Sequence, residues 1–91
     1  MPQVKDITRE MRKEYEDANF NAKIINAWEY NGNQIIIYSI RVLDSKLYIV
    51  TKRTSENEYP LGIGTNPCTA LKDASRWDKI VGQIANSECQ G

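Results

Sequence analysis

Histidine is absent from this chain of 91 residues. That removes the side chain most used as a general base or metal ligand near neutral pH, and with it every Ser-His or Cys-His nucleophile arrangement. Carboxylates are what remain for acid–base work. Glu10, Glu14, Glu16 and Asp17 fall on the polar side of a charged segment, and Glu56 and Glu58 lie in a polar stretch with no second acidic cluster at metal-ligand spacing. The expectation is a protein that is not an enzyme, with no catalytic residue, metal or cofactor to assign.

Net charge is missing as well. Twelve Lys and Arg balance twelve Asp and Glu. A strong non-specific polyanion binder carries a basic surplus that releases counterions, and an acidic mimic of nucleic acid carries the opposite. No run approaches the ~18 apolar residues of a membrane span. Met1–Asp6 leads directly into charged residues, without an apolar signal segment. Two cysteines, Cys68 and Cys89, are too few for a disulfide scaffold. The expected setting is the cytoplasm, or a host's cytoplasm, with no membrane partner.

What is present is ordinary globular material, 41% apolar and 26% charged, enough for one modest core. The most apolar and β-branched run is Gln34–Val42, and the rest of the chain reads as partners for it. From residue 4 to 20, Val4, Ile7, Met11, Tyr15 and Ala18 recur at steps of three and four, which predicts an amphipathic helix. Arg12 with Glu16 and Lys13 with Asp17 are spaced to pair along it, and Asn19 or Asn21 is suited to end it. Lys23–Tyr30 shifts towards period two, and Asn31-Gly32 is the dipeptide of a type I′ hairpin turn. A turn at Asp44-Ser45 then leads to a third strand, Lys46–Arg53.

Thr54–Glu58 reads as a mobile polar loop, and Tyr59–Gly64 as a glycine-bearing turn. Asn66 or Thr65 caps a last helix with Pro67 in its first position, and Leu71, Ala74, Trp77, Val81 and Ile84 form its buried stripe to about Ala85. Residues 86–91 are expected to be a frayed tail, with Cys68 filling the first turn of that helix and Cys89 incidental. Gly62, Gly64 and Thr65 lack the Gly-Lys-Ser/Thr ending of a phosphate loop and read as a plain turn and cap. The predicted fold class is α+β: one domain spanning 1–91 with an ordered core over 4–85, in the order α-β-β-β-α, a three-stranded antiparallel meander packed against two helices.

Two-residue turns sort the strands onto two faces. One collects Ile25, Ala27, Ile36, Tyr38, Ile40, Val42, Leu47 and Ile49, and is expected to carry the helices. The other collects Ile24, Trp28, Tyr30, Ile35, Ile37, Arg41, Tyr48, Val50 and Lys52. If it stays open, Trp28, Tyr30, Ile37, Arg41, Tyr48 and Lys52 form a partner-binding surface, since aromatics and arginine dominate interface energetics. The alternative is helices on opposite faces, a three-layer sandwich in which these residues are a second core.

Two resemblances follow, the first in topology across most of the chain and the second over Gly62–Asp73. The element order, with Gly62-Ile63-Gly64 leading into the final helix, resembles a double-stranded-RNA-binding domain, although Asn66–Lys72 holds one lysine where that family has a cluster. Gly62–Asp73 is similar to the Gly-x-Gly-x-Thr-Pro-x-x-Ala-Leu strand-to-helix junction of HicB-like antitoxins and small phage proteins, with Asn66 in place of the threonine; this implies a phage or mobile-element setting. The expected function is a non-enzymatic macromolecule-binding module, a small accessory or inhibitor protein acting on a host protein, with a homodimer as a further option. Alternatives are a domain binding RNA or single-stranded DNA through Arg9, Arg12, Lys13, Arg41, Lys52 and Arg53, and an antitoxin of HicB-like type. The Ser55–Pro60 loop is a second candidate protein-binding surface.

Overall fold

A computed structural model describes residues 4–17 and 22–89, the side chains of Glu16 and Asp17 excepted. The order is β1 (Lys5–Asp6), α1 (Thr8–Asp17), β2 (Lys23–Tyr30), β3 (Asn33–Val42), β4 (Ser45–Arg53), β5 (Glu58–Gly64), α2 (Pro67–Ala74) and α3 (Lys79–Glu88). The strands form one antiparallel sheet in sequence order, so the fold is α+β and the expected meander is its centre. The pairs Arg12–Glu16 and Lys13–Asp17, and the helix end at Asn19 or Asn21, lie outside the described residues.

The first hairpin follows from its turn residues. Asn31 and Gly32 take φ of 47° and 78°, as type I′ requires, and Tyr30 pairs with Asn33. Two details differ from the sequence reading. A bulge between Ile24 and Asn26 advances β2 by one residue, which moves Ile24 to the face of Ala27 and Ile36 and turns Ile25 to the other. The second turn is centred on Leu43-Asp44, with Leu43 at φ 56° and 93% exposed, so Val42 pairs with Ser45. That slides the pairing by two residues and keeps every side chain on its expected face.

Both ends of the meander continue into further strands, where a helix was expected on the N-terminal side and a loop and turn on the C-terminal side. Val4–Asp6 is not helical: Lys5 and Asp6 pair with Glu29 and Trp28, and Ile7 N donates to Ala27 O at 2.9 Å. Helix α1 starts at Thr8, whose N–H donates to the Asp6 carboxylate at 2.9 Å. Thr54–Asn57 forms a tight turn, closed by Thr54 N to Asn57 O at 2.7 Å and by two N–H groups donating to Thr54 Oγ1. The Tyr59–Gly64 stretch is strand β5. Its glycines let α2 lie directly on the sheet: a Cβ at Gly62 would fall 2.8 Å from Ala74 Cα, and one at Gly64 2.6 Å from Ala70 N.

The helices take opposite faces. Ile7 and Met11 of the α1 segment cover Ile24, Ala27 and Ile36. On the other side Ala70, Leu71 and Ala74 of α2 and Val81, Ile84 and Ala85 of α3 cover Trp28, Tyr30, Ile35, Ile37 and Val50. The molecule is therefore a three-layer sandwich with two cores.

Candidate partner-binding site

The single last helix expected over 66–85 is two helices, and the break between them builds the candidate site. Asn66 caps α2, its side chain accepting from Thr69 N at 2.9 Å, with Pro67 behind it as expected. The helix ends at Ala74, and Trp77 N and Ser75 N close the turn on Ala74 O and Leu71 O. Asp78 then starts a second helix, its carboxylate accepting from Ile80 N at 2.8 Å and Val81 N at 3.3 Å. An uninterrupted helix would aim Trp77 at the sheet. The restart re-phases Val81 and Ile84 into the core and leaves Trp77 at the corner, 73% exposed.

Asp78 is also where α3 meets the sheet. Lys52 Nζ of β4 donates to its Oδ2 at 2.8 Å, and Tyr30 Oη of β2 donates to it at 3.1 Å. Both charged side chains are largely withdrawn from water, at 19% and 8% exposure. Burial alone would raise the pKa of Asp78, but the hydrogen bonds from Lys52 and the two backbone N–H groups, with the Lys52 charge, hold it below the usual carboxylate range. Lys52 is pushed up, chiefly by its hydrogen bond to Asp78 against the opposing effect of burial. It lies 5.9 Å from the centroid of the Tyr30 ring.

A groove of about 370 Å³ opens over this ion pair. It is lined by Trp77, by Tyr59, Pro60 and Leu61 of β5, and by Lys52 and Asp78. The Asp78 oxygens are filled by Lys52, Tyr30, Ile80 and Val81. Lys52 keeps N–H groups to donate into the groove, and the Tyr59 hydroxyl can both donate and accept there.

Comparison with known proteins finds no family model, no curated protein and no solved structure that matches the chain.

The six residues expected to form a partner-binding face separate. Trp28, Tyr30 and Ile37 are buried beneath α2 and α3, at 5%, 8% and 2% exposure, and are core. The reason is that α2 and α3 cover that face while α1 covers the other, which is the three-layer alternative expected beside the open-face arrangement. Arg41 is exposed and pairs across the hairpin with Lys46, whose Nζ lies 5.7 Å from the centroid of the half-buried Tyr48 ring. Lys52 alone reaches the groove. Tyr59 and Pro60, at the end of the Ser55–Pro60 candidate surface, also line it. Trp77 escaped the sequence reading because it fits the helical stripe; Asp78, an N-cap residue type directly before Lys79-Ile80-Val81, was the signal for a new helix start.

The cations of the nucleic-acid alternative are dispersed. Arg12 donates to Ile24 O and Ile25 O, Arg53 to Glu14 at 3.1 Å, and Lys52 to Asp78 on the opposite face of the sheet. No helix among the described residues is long and apolar enough to cross a membrane. The two cysteines are paired: Cys68 at the start of α2 and Cys89 at the C-cap of α3 form a disulfide with Cα atoms 5.6 Å apart. Residues 86–88, expected to fray, thus complete α3.

Proposed function

We propose that this chain is a non-catalytic protein-binding module whose docking site is the groove lined by Trp77 and the Tyr59-Pro60-Leu61 segment. The observation that carries this reading is Trp77 itself. A tryptophan 73% exposed beside a largely buried ion pair is an apolar anchor on a well-packed base. Anchors of this kind supply most of the energy of protein interfaces, because a large ring loses little conformational entropy when it is covered. Tyr59, also exposed, lines the same groove. The specific form of the proposal is an accessory or inhibitor protein of phage or mobile-element type acting on a host protein; the Gly62–Asp73 junction supports that setting. A cytoplasm reduces a bond such as Cys68–Cys89, and an oxidising compartment keeps it, so intact mass before and after thiol alkylation reports which setting the protein has experienced.

The test is capture of binding partners by immobilised full-length chain in three forms: wild type, Trp77→Ala and Arg41→Ala. Loss of the same partners with Trp77→Ala and their retention with Arg41→Ala supports the site. Equal capture by all three forms removes it.

A further inference from the structure

The helical hairpin of α2 and α3 is joined at one end by residues 75–78 and stapled at the other by the Cys68–Cys89 disulfide. The two sulfurs of that bond sit in unlike places. Cys68 is the second residue after the Asn66 cap, at the positive end of α2, where a helix lowers the pKa of a thiol. Cys89 is the C-cap of α3, at the negative end of its helix and next to Glu88. A thiolate is therefore better held at Cys68 than at Cys89. In thiol–disulfide exchange the sulfur with the lower thiol pKa is the better leaving group, so attack at Cys89 with departure of Cys68 is the favoured direction.

Access selects the same direction. A groove of about 580 Å³ is lined by Lys72 and Ser75 on the α2 side and by Gly82, Ala85, Asn86 and Cys89 on the α3 side. Cys89 lines it and Cys68 does not. Gly82 keeps it open, since a Cβ there would already lie 3.8 Å from Ser75 Cβ and a longer side chain would fill the gap. Lys72 is the one charged side chain of the lining, and no ion pair among the described residues engages it. Glu88, which would repel an anion, lines a different cavity with Val4, Asp6 and Trp28.

We propose that Cys89 is a site of reversible S-thiolation by a small thiol bearing carboxylates, received in this groove with a carboxylate on Lys72. The attacking thiolate forms a bond to Cys89 Sγ, the Cys68–Cys89 bond breaks, and its electron pair leaves on Cys68 Sγ as a thiolate. No external oxidant is needed, because one disulfide is exchanged for another. Return attack of Cys68 on Cys89 expels the small thiol and restores the staple. The exchange releases the C-terminal end of α3 from α2, while Asp78 still holds its other end to the sheet.

The experiment exposes the oxidised full chain to glutathione, with iodoacetamide present to capture the released thiolate, and maps both labels by mass spectrometry after proteolysis. The expected early product carries glutathione on Cys89 and carbamidomethyl on Cys68, in about fivefold or greater excess over the reverse. Lys72→Gln, at an exposed position, should lower the glutathione rate relative to that of uncharged β-mercaptoethanol by about twofold or more. The ratio of the two rates cancels any effect of Lys72 on the leaving sulfur. Gly82→Leu should slow both thiols by filling the groove. Equal labelling of the two cysteines, or glutathione mainly on Cys68, overturns the proposal. So does a chain that forms no mixed disulfide at millimolar glutathione, a rate ratio that Lys72→Gln leaves unchanged, or exchange that Gly82→Leu does not slow.

Discussion

Asp78 carries three structural roles in one side chain: it caps α3, neutralises Lys52 and accepts from Tyr30. Asp78→Ala is therefore expected to cost about 2–3 kcal/mol in urea denaturation, the cap contributing about 1 and the stranded Lys52 ammonium most of the rest. The pH dependence has a definite sign. Because the folded pKa of Asp78 is depressed, its contribution is fully present above the ordinary carboxylate value of about 3.9 and is lost as pH falls through the folded value. The gap in urea midpoint between wild type and Asp78→Ala should accordingly narrow as pH drops below about 4. Tyr15 behaves oppositely: burial first, then the charge and hydrogen bond of Glu58, push its hydroxyl up to about 12. Stability linked to Tyr15 is present below its ordinary value near 10 and is lost as pH rises towards 12, and Glu58→Gln should lower the alkaline tyrosine titration seen by absorbance. Gly62 is fixed by contact, since α2 backbone occupies the place of a side chain. Gly62→Val should cost about 1–3 kcal/mol or more by lifting α2 from β5, read as a fall in thermal midpoint.

At the level of elements, side chains take up some of the backbone groups left unpaired beyond β1 and along β5. Arg12 donates to Ile24 O and Ile25 O, and Thr8 Oγ1 accepts from Ala27 N, along the β2 edge beyond the short β1. On β5, Pro60 has no N–H to offer and Asp73 accepts from Ile63 N at 3.1 Å. Strand addition is thus hindered at these positions. Helix α3 is fastened at both ends, by Asp78 to the sheet and by Cys89 to Cys68 of α2. Closing a loop of sequence separation 21 corresponds to about 3 kcal/mol in the chain-entropy account, so a Cys68→Ser plus Cys89→Ser variant, or reduced wild type, should lose about that much in urea. Much at this scale was readable: the Asn31-Gly32 hairpin, the alternation of β3 and β4, the Asn66-Pro67 helix start. The pieces that escaped are those whose partner is remote. Lys5–Asp6 and Glu58–Gly64 become strands because β2 and β4 offer them free edges, and no local pattern records that.

The whole molecule is decided by which face each helix covers. With Trp28 in the core under α3, Trp28→Ala should cost about 3–5 kcal/mol, where a surface tryptophan would cost little. Trp77→Ala, by contrast, should leave the urea midpoint within about 0.5 kcal/mol of wild type. The two tryptophans also make the arrangement visible in solution. Acrylamide should quench one emitting population readily and the other poorly, and Trp77→Ala should remove the first.

Composition and periodicity alone determined that this is one small α+β domain with a meander at its centre, and that Ile36 and Ile37 point to opposite sides of the sheet. Alternation fixes which side chains share a face, because the pleat has a period of two. It does not say which face a helix covers, since both faces of β3 are apolar enough to be core. Tertiary structure decided that. The Ile24/Asn26 bulge, the restart at Asp78 and the clasp of Lys52 with Asp78 sent α1 to one side and α2 with α3 to the other. The same choice moved the exposed aromatic site from Trp28 to Trp77, because a broken helix leaves its corner residue in solvent.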